Sequence, residues 1–244
     1  MFHVKPVEDI HRLRRLAAVI GVDVSIDQAE LMIAHLDHVL RANVHLNLTS
    51  ITDRRAAIRL HVVDSLAVLQ ELDGAASERL AIDLGSGAGF PGIPLGIAME
   101  APVVLLEPRK RRAEFLTSTV ADLELAKIEV AAVRAEDYAA INPGQARTVV
   151  ARAVAPLSAL VELAQPLMIP VEGRFVAMKG QLGDEELSRG DAAAALVGME
   201  RLKVTELLLP EGGETRTLVT YSRVGDSTIR LPRRAGLAQK RPLA

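Results

Sequence analysis

AIDLGSGAGFPGIPL, residues 81–95, joins a short apolar run, one acid and three alternating glycines to a segment that reads as helix. The apolar run fits a strand. Gly85, Gly87 and Gly89 fit a tight turn, because residues without Cβ accept positive φ and let backbone approach a ligand closely. Pro94 suits the first turn of the following helix, whose N-terminus presents unpaired N–H groups. In an open parallel sheet, ligands bind beyond the carboxyl ends of the strands, which is where this turn must lie. The alternative is a tight turn that serves structure alone.

Downstream of this turn, further apolar runs recur at Val103–Glu107, Ile128–Val133, Thr148–Ala151 and Phe175–Met178, then at Val204–Leu209 and Thr217–Tyr221. Helical stretches lie between most of them, the alanine-rich Asp191–Leu196 included, which predicts an α/β fold with a mainly parallel sheet and helices on both faces. Only Pro210–Arg216 separate the last two runs, too few for a helical crossover, so they predict an antiparallel hairpin at the sheet edge. Upstream the pattern is helical. Ile26, Leu31, Ile33, Leu36 and Leu40 follow a cap-like Ser25 or Asp27, and a second helix is predicted after Asp53. It runs through Ile58, Val62, Leu66 and Leu69 and leaves Arg54, Arg55 and Arg59 in solvent. The expected organisation is a helical extension over 1–75, a core over 76–230 and a basic tail over 231–244.

The 244 residues contain no cysteine, which excludes disulfides, thiolate nucleophiles and cysteine-ligated zinc and suits a reducing compartment. The first residues, FHVKPVEDIHRLRRL, lack an apolar signal core, and no apolar run approaches the roughly 20 residues of a membrane helix. A cytoplasmic protein is expected, and the sequon at Asn47–Thr49 is read as chance. Net charge is only −2, but cations cluster at Arg109, Lys110, Arg111 and Arg112 and again in the tail at Arg233, Arg234, Lys240 and Arg241. These are candidate phosphate contacts, with a solvated helix start and a loose tail as the alternatives. Aromatics make up 2%, too few for a base-stacking platform.

Two ligands compete for the glycine turn, a dinucleotide and S-adenosylmethionine, since both place a ribose near an acid after the second strand. Here that acid is Glu107. The dinucleotide fingerprint requires G-x-G-x-x-G, but Phe90 stands where the third glycine belongs. Phe90-Pro91-Gly92 also obstructs the helix start that a pyrophosphate needs, and the Asp83 carboxylate repels phosphate while suiting a sulfonium. The balance favours the methyl donor, with a dinucleotide-dependent oxidoreductase as the alternative.

Elsewhere, His61 and Ser65 share a helical face with Asp64 beside them. They cover the donor, touch a nucleic acid, or form a buried hydrogen-bonded cluster tying the helical extension to the sheet. Arg152 and Lys179 end apolar strands, a position that faces the ligand cleft.

Several stretches together resemble one family: NLTSI at 47–51, HVVDSL at 61–66, DLGSGAGFPGIPL at 83–95, RKRRAEFL at 109–116, RAED at 134–137, ARAVAPL at 151–157 and MKG at 178–180. They are similar to the bacterial small-subunit ribosomal RNA guanine-N7 methyltransferases, the glucose-inhibited division protein B family, in the same order and over nearly the whole chain. The resemblance implies a class I, Rossmann-like S-adenosylmethionine-dependent methyltransferase fold acting on a guanine of 16S ribosomal RNA in the small ribosomal subunit. It places Gly85, Phe90, Ala135, Glu136 and Arg152 at the donor, in addition to Asp83, Gly87 and Glu107. Arg152 and Lys179 become positioning residues, and Arg109–Arg112, Arg233 and Arg234 RNA contacts. Pro108, after the acid, departs from the family average. A monomer without a metal is expected. Ring nitrogen seven of guanine carries a free lone pair and no proton, so no general base is expected.

Overall fold

The computed structural model describes residues 7–72, 79–152 and 154–244. The expected boundary between extension and core, at 75/76, lies outside the described residues. Two long helices come first among the described residues, α1 (Val7–Val19) and α2 (Ile26–Leu46). Ser25 caps α2 with a reciprocal capping box: its hydroxyl accepts from the Gln28 N–H, and the Gln28 side chain accepts from the Ser25 N–H. The helix after Asp53 changes pitch along its length. It begins as α3 (Arg54–Ala57), capped by Asp53, widens to a π-helical turn over Ile58–Val63, returns to α4 (Asp64–Leu66) and tightens to 3₁₀ over Ala67–Glu71. Ile58, Val62 and Leu66 are fully buried, as the sequence predicts.

The remainder alternates strand and helix: β1 (Ala81–Leu84), α5 (Gly92–Met99), β2 (Val103–Leu106), α6 (Lys110–Asp122), β3 (Ile128–Ala131), α7 (Ala135–Ile141), β4 (Thr148–Arg152), α8 (Leu157–Ala164), β5 (Arg174–Lys179) and α9 (Asp184–Leu196). Two long antiparallel strands, β6 (Met199–Leu208) and β7 (Thr215–Arg223), and a short α10 (Leu237–Lys240) complete the chain. The sheet has seven strands in the order β3-β2-β1-β4-β5-β7-β6, parallel except where β7 meets β5 and β6. Both the parallel body and the terminal hairpin follow the sequence reading. β6 begins at Met199, five residues earlier than its apolar run, because an edge strand keeps its polar residues exposed and hides the pattern.

One face of the sheet packs against the N-terminal helices, with Leu13, Leu36 and Val62 in the same apolar cluster as Ile93, Val150 and Leu218. The other face packs against α8, α9 and the C-terminal segment. β1 lies between β2 and β4, so the connections run off in opposite directions on its two sides and leave a crevice at its carboxyl end. The glycine turn and the end of β4 meet there.

The expectation that Arg54 and Arg59 stay in solvent is corrected. Arg54 pairs with Asp9 at 2.5 Å and with Asp37, and Arg59 pairs with Glu214. The guanidiniums lie where the helix passes other elements of the chain, a proximity that helical spacing does not reveal. Arg55 is exposed.

Candidate active site

Gly85, Gly87 and Gly89 take φ of +72°, +57° and +93°, values that L side chains rarely adopt. The turn is held from beneath by two carboxylates. Asp83 at the end of β1 is fully buried, and its Oδ2 accepts the Gly92 N–H at 3.0 Å. Glu107, one residue beyond β2, accepts the Gly87 N–H on Oε2 at 3.0 Å and the Arg109 N–H on Oε1 at 2.8 Å. Burial pushes the Asp83 carboxyl up to about 6, against the opposing Gly92 N–H bond.

A crevice of about 610 Å³ opens over this turn, with Gly85, Gly87, Glu107, Arg109, Arg112 and Arg152 among its lining. A smaller hollow of about 70 Å³ adjoins it, with Ala135 and Glu136 in its wall. A Cβ built on Gly87 would project into the crevice, meeting only Gly85 O at 3.8 Å and Arg112 Nη1 at 3.9 Å. One built on Gly85 would strike Val154 Cγ2 at 2.9 Å. The backbone floor therefore exists because these residues lack side chains. An acid at the end of β2, a bare glycine floor and an arginine-rich wall fit the ribose, adenosine and carboxylate of S-adenosylmethionine. They do not fit a pyrophosphate, because the Gly87 and Gly92 amides that would hold one already donate to carboxylates.

Two residues that the sequence places at the donor, Asp83 and Phe90, do not line the crevice with their side chains. Asp83 faces the inside of the loop, because its carboxylate is drawn to the Gly92 amide at the start of α5. Phe90 is 4% exposed and sits behind the crevice. Its ring stacks on His61 at 4.9 Å and tilts against His35 at 4.5 Å, and the Arg152 guanidinium carbon lies 5.4 Å from its centroid. Phe90 thus backs Arg152.

His61, Asp64 and Ser65 form the buried cluster that the sequence left open among its alternatives. Ser65 donates to the His61 carbonyl at 2.5 Å. Asp64, 2% exposed, takes Arg152 Nη1 at 3.2 Å on one oxygen and Arg216 Nε at 2.9 Å on the other, tying the helical extension to β4 and β7. Burial first, and then the neighbouring Arg152 and His35, pull the His61 pKa down to about 3. His61 is therefore neutral, with Nε2 2.8 Å from Thr49 Oγ1 and Nδ1 facing the Arg152 guanidinium at 3.4 Å. No sequence spacing announces Arg216, which comes from the distant hairpin.

His61, Asp64, Arg152, Met178, Lys179 and Arg216 surround a second cavity of about 350 Å³. Arg152 borders both this cavity and the glycine crevice. Lys179 is not a free phosphate contact, since it donates to Glu186 at 2.7 Å and to the Ala155 carbonyl at 2.9 Å. Arg233 is likewise engaged within the chain, making two bonds of 2.6 and 2.5 Å to buried Glu162. Lys110, Arg111 and Arg234 are exposed, whereas Arg109 and Arg112 face the crevice. Among the described residues no helix is long and apolar enough to cross a membrane.

The fold and the sequence both have counterparts among known proteins. A geranyl diphosphate methyltransferase solved in complex with SAM superposes with a TM-score of 0.56 at 15% identity, over 74% of this chain and 95% of its own, which shows the class I methyltransferase fold. A ribosomal RNA small subunit methyltransferase G from Deinococcus radiodurans is 39% identical over 95% of this chain and 91% of its own length. Its namesake from Roseiflexus castenholzii is 40% identical over 95% and 98%. The family profile described as rRNA small subunit methyltransferase G matches residues 28–217, and the chain belongs to that family.

Proposed function

We propose that this protein transfers a methyl group from S-adenosylmethionine to N7 of one guanine in 16S ribosomal RNA of the small subunit, as a cytoplasmic monomer that uses no metal. The observation that carries this reading is the position of Arg152, whose side chain borders both the glycine crevice and the second cavity. Bound in the crevice, the donor supplies an electrophilic sulfonium methyl. Glu107 holds its ribose above the side-chain-free floor at Gly85 and Gly87, Ala135 and Glu136 meet its adenine, and the crevice arginines receive its carboxylate.

The second cavity takes the guanine. Its two guanidiniums outnumber the single Asp64 carboxylate between them, while Lys179 is neutralised by Glu186, so it offers net positive charge to the acceptor-rich O6/N7 edge of the base. Because N7 has a lone pair and no proton, no side chain has to remove one, and a neutral His61 is consistent with that. Catalysis rests on alignment, which can contribute roughly 7 to 11 kcal/mol. Phe90 behind Arg152 and Asp64 beside it fix the guanidinium that does the aligning. Exposed Lys110 and Arg111 at the start of α6 provide phosphate contacts near the crevice mouth.

The test is digestion of ribosomal RNA from cells that lack the protein, followed by nucleoside mass spectrometry. One N7-methylguanosine disappears from the small-subunit RNA; an unchanged nucleoside profile overturns the proposal.

A further inference from the structure

Residues 231–244 reach the donor crevice at Gln239 and are fastened to the rest of the chain at three points. Arg233 grips buried Glu162 on α8 through two bonds. Its Nη2 also donates to the Arg241 carbonyl at 2.9 Å, closing the segment on itself. The Gly236 N–H donates to Glu136 Oε1 at 2.6 Å, at a φ of +78° that favours glycine. Arg189 holds the Ala244 carbonyl at 3.0 and 3.2 Å. Ala238 is buried in the core cluster beneath α8, which sets the rotation of α10. The neighbouring Gln239 is exposed, and it lines both the 610 Å³ crevice and the adjoining hollow that holds Ala135 and Glu136.

A loose basic tail needs none of these ties. One in which a partly buried Arg233–Glu162 ion pair and a left-handed glycine bring one uncharged amide to two adjoining hollows is built to present that amide. We propose that Gln239 is a donor-binding residue that reads the adenine edge, and that residues 231–244 are the clasp that holds it there; this rests on the reading of the crevice as the S-adenosylmethionine site. A carboxamide offers a donor and an acceptor side by side, the complement of adenine's N7 acceptor and N6 donor. Hypoxanthine, which has an oxygen where adenine has the amino group, breaks that match. The clasp also accounts for Arg233, which makes its contribution by holding Gln239 in place.

The full-length protein is titrated by calorimetry with S-adenosylhomocysteine and with S-inosylhomocysteine, alongside Gln239→Ala and Arg233→Ala. Wild type binds the adenine compound more tightly. Gln239→Ala, at an exposed position, keeps the unliganded melting temperature, loses roughly three- to tenfold in S-adenosylhomocysteine affinity, as expected for one or two neutral hydrogen bonds, and discriminates less between the two purines. Arg233→Ala shows at least the same loss, and the double variant is no worse than Arg233→Ala. Wild-type affinity and discrimination in Gln239→Ala overturn the role of Gln239 while leaving the donor site standing. Failure of the wild type to bind S-adenosylhomocysteine overturns the donor site and the clasp together.

Discussion

The Gly87 amide donates to Glu107 Oε2 across 3.0 Å, joining the loop after β1 to the end of β2. The acid proposed to bind the ribose is thus also the strut of the glycine floor. The carboxamide of Glu107→Gln has one acceptor for two N–H groups, so it loses either the Gly87 strut or the Arg109 anchor that fixes the side chain, and the proposed ribose contact weakens with it. A loss of tenfold or more in S-adenosylhomocysteine affinity is expected by calorimetry; a change under twofold contradicts the assignment.

Asp64 sits between Arg152 and Arg216, and its removal leaves two guanidiniums facing each other in a buried site. Asp64→Ala should cost about 3 to 5 kcal/mol in denaturant unfolding, the usual consequence of breaking a buried ion pair from one side. Arg216→Met leaves Asp64 paired with Arg152 and should cost markedly less. Equal losses would show that the cluster does not work as a charge-matched unit.

Burial pushes the Asp83 carboxyl from 3.8 up to about 6. A carboxyl whose folded-state pKa exceeds its unfolded value contributes stability at low pH and loses it as pH rises through the folded value. Asp83→Asn does not titrate, so it should gain on wild type by on the order of 2 kcal/mol between about pH 4 and pH 7. Unfolding free energies of both proteins across that range check this, and a difference independent of pH contradicts it.

Lys110 and Arg111 are exposed at the start of α6, and neither lines the donor crevice. Reversing both to glutamate should weaken RNA binding and reduce the slope of log affinity against log salt by about two, since each phosphate contact contributes a slope of nearly one. S-adenosylhomocysteine affinity should stay within twofold. An unchanged salt slope, measured by RNA titration at several ionic strengths, would assign these charges to solubility alone.

Much of this architecture is legible in the sequence, because strand runs, glycine turn and hairpin are local patterns that tertiary packing does not override. Glu107 is legible too, since its place one residue beyond β2 fixes its direction toward the crevice. Phe90 and Asp83 are not: two residues of one turn can point to opposite sides of it, and only the packing of His35, His61 and Gly92 decides which. The tail misleads for a related reason. Four cations in the last 14 residues look like a free polyanion-binding arm until Glu162, buried 71 residues earlier, claims one of them. Arg216 escapes notice because nothing near it in sequence names its partner. The π-helical turn over Ile58–Val63 has the apolar spacing of an ordinary helix, so periodicity cannot distinguish the two.

The most direct measurement incubates the purified protein with methyl-labelled S-adenosylmethionine and small-subunit ribosomal RNA, then identifies the labelled nucleoside by mass spectrometry, for wild type and Arg152→Ala. Label should appear in N7-methylguanosine with wild type and fall at least a hundredfold with Arg152→Ala at saturating donor. Label in a different nucleoside, or equal transfer by the variant, would contradict the claim that Arg152 joins a donor site to a guanine site.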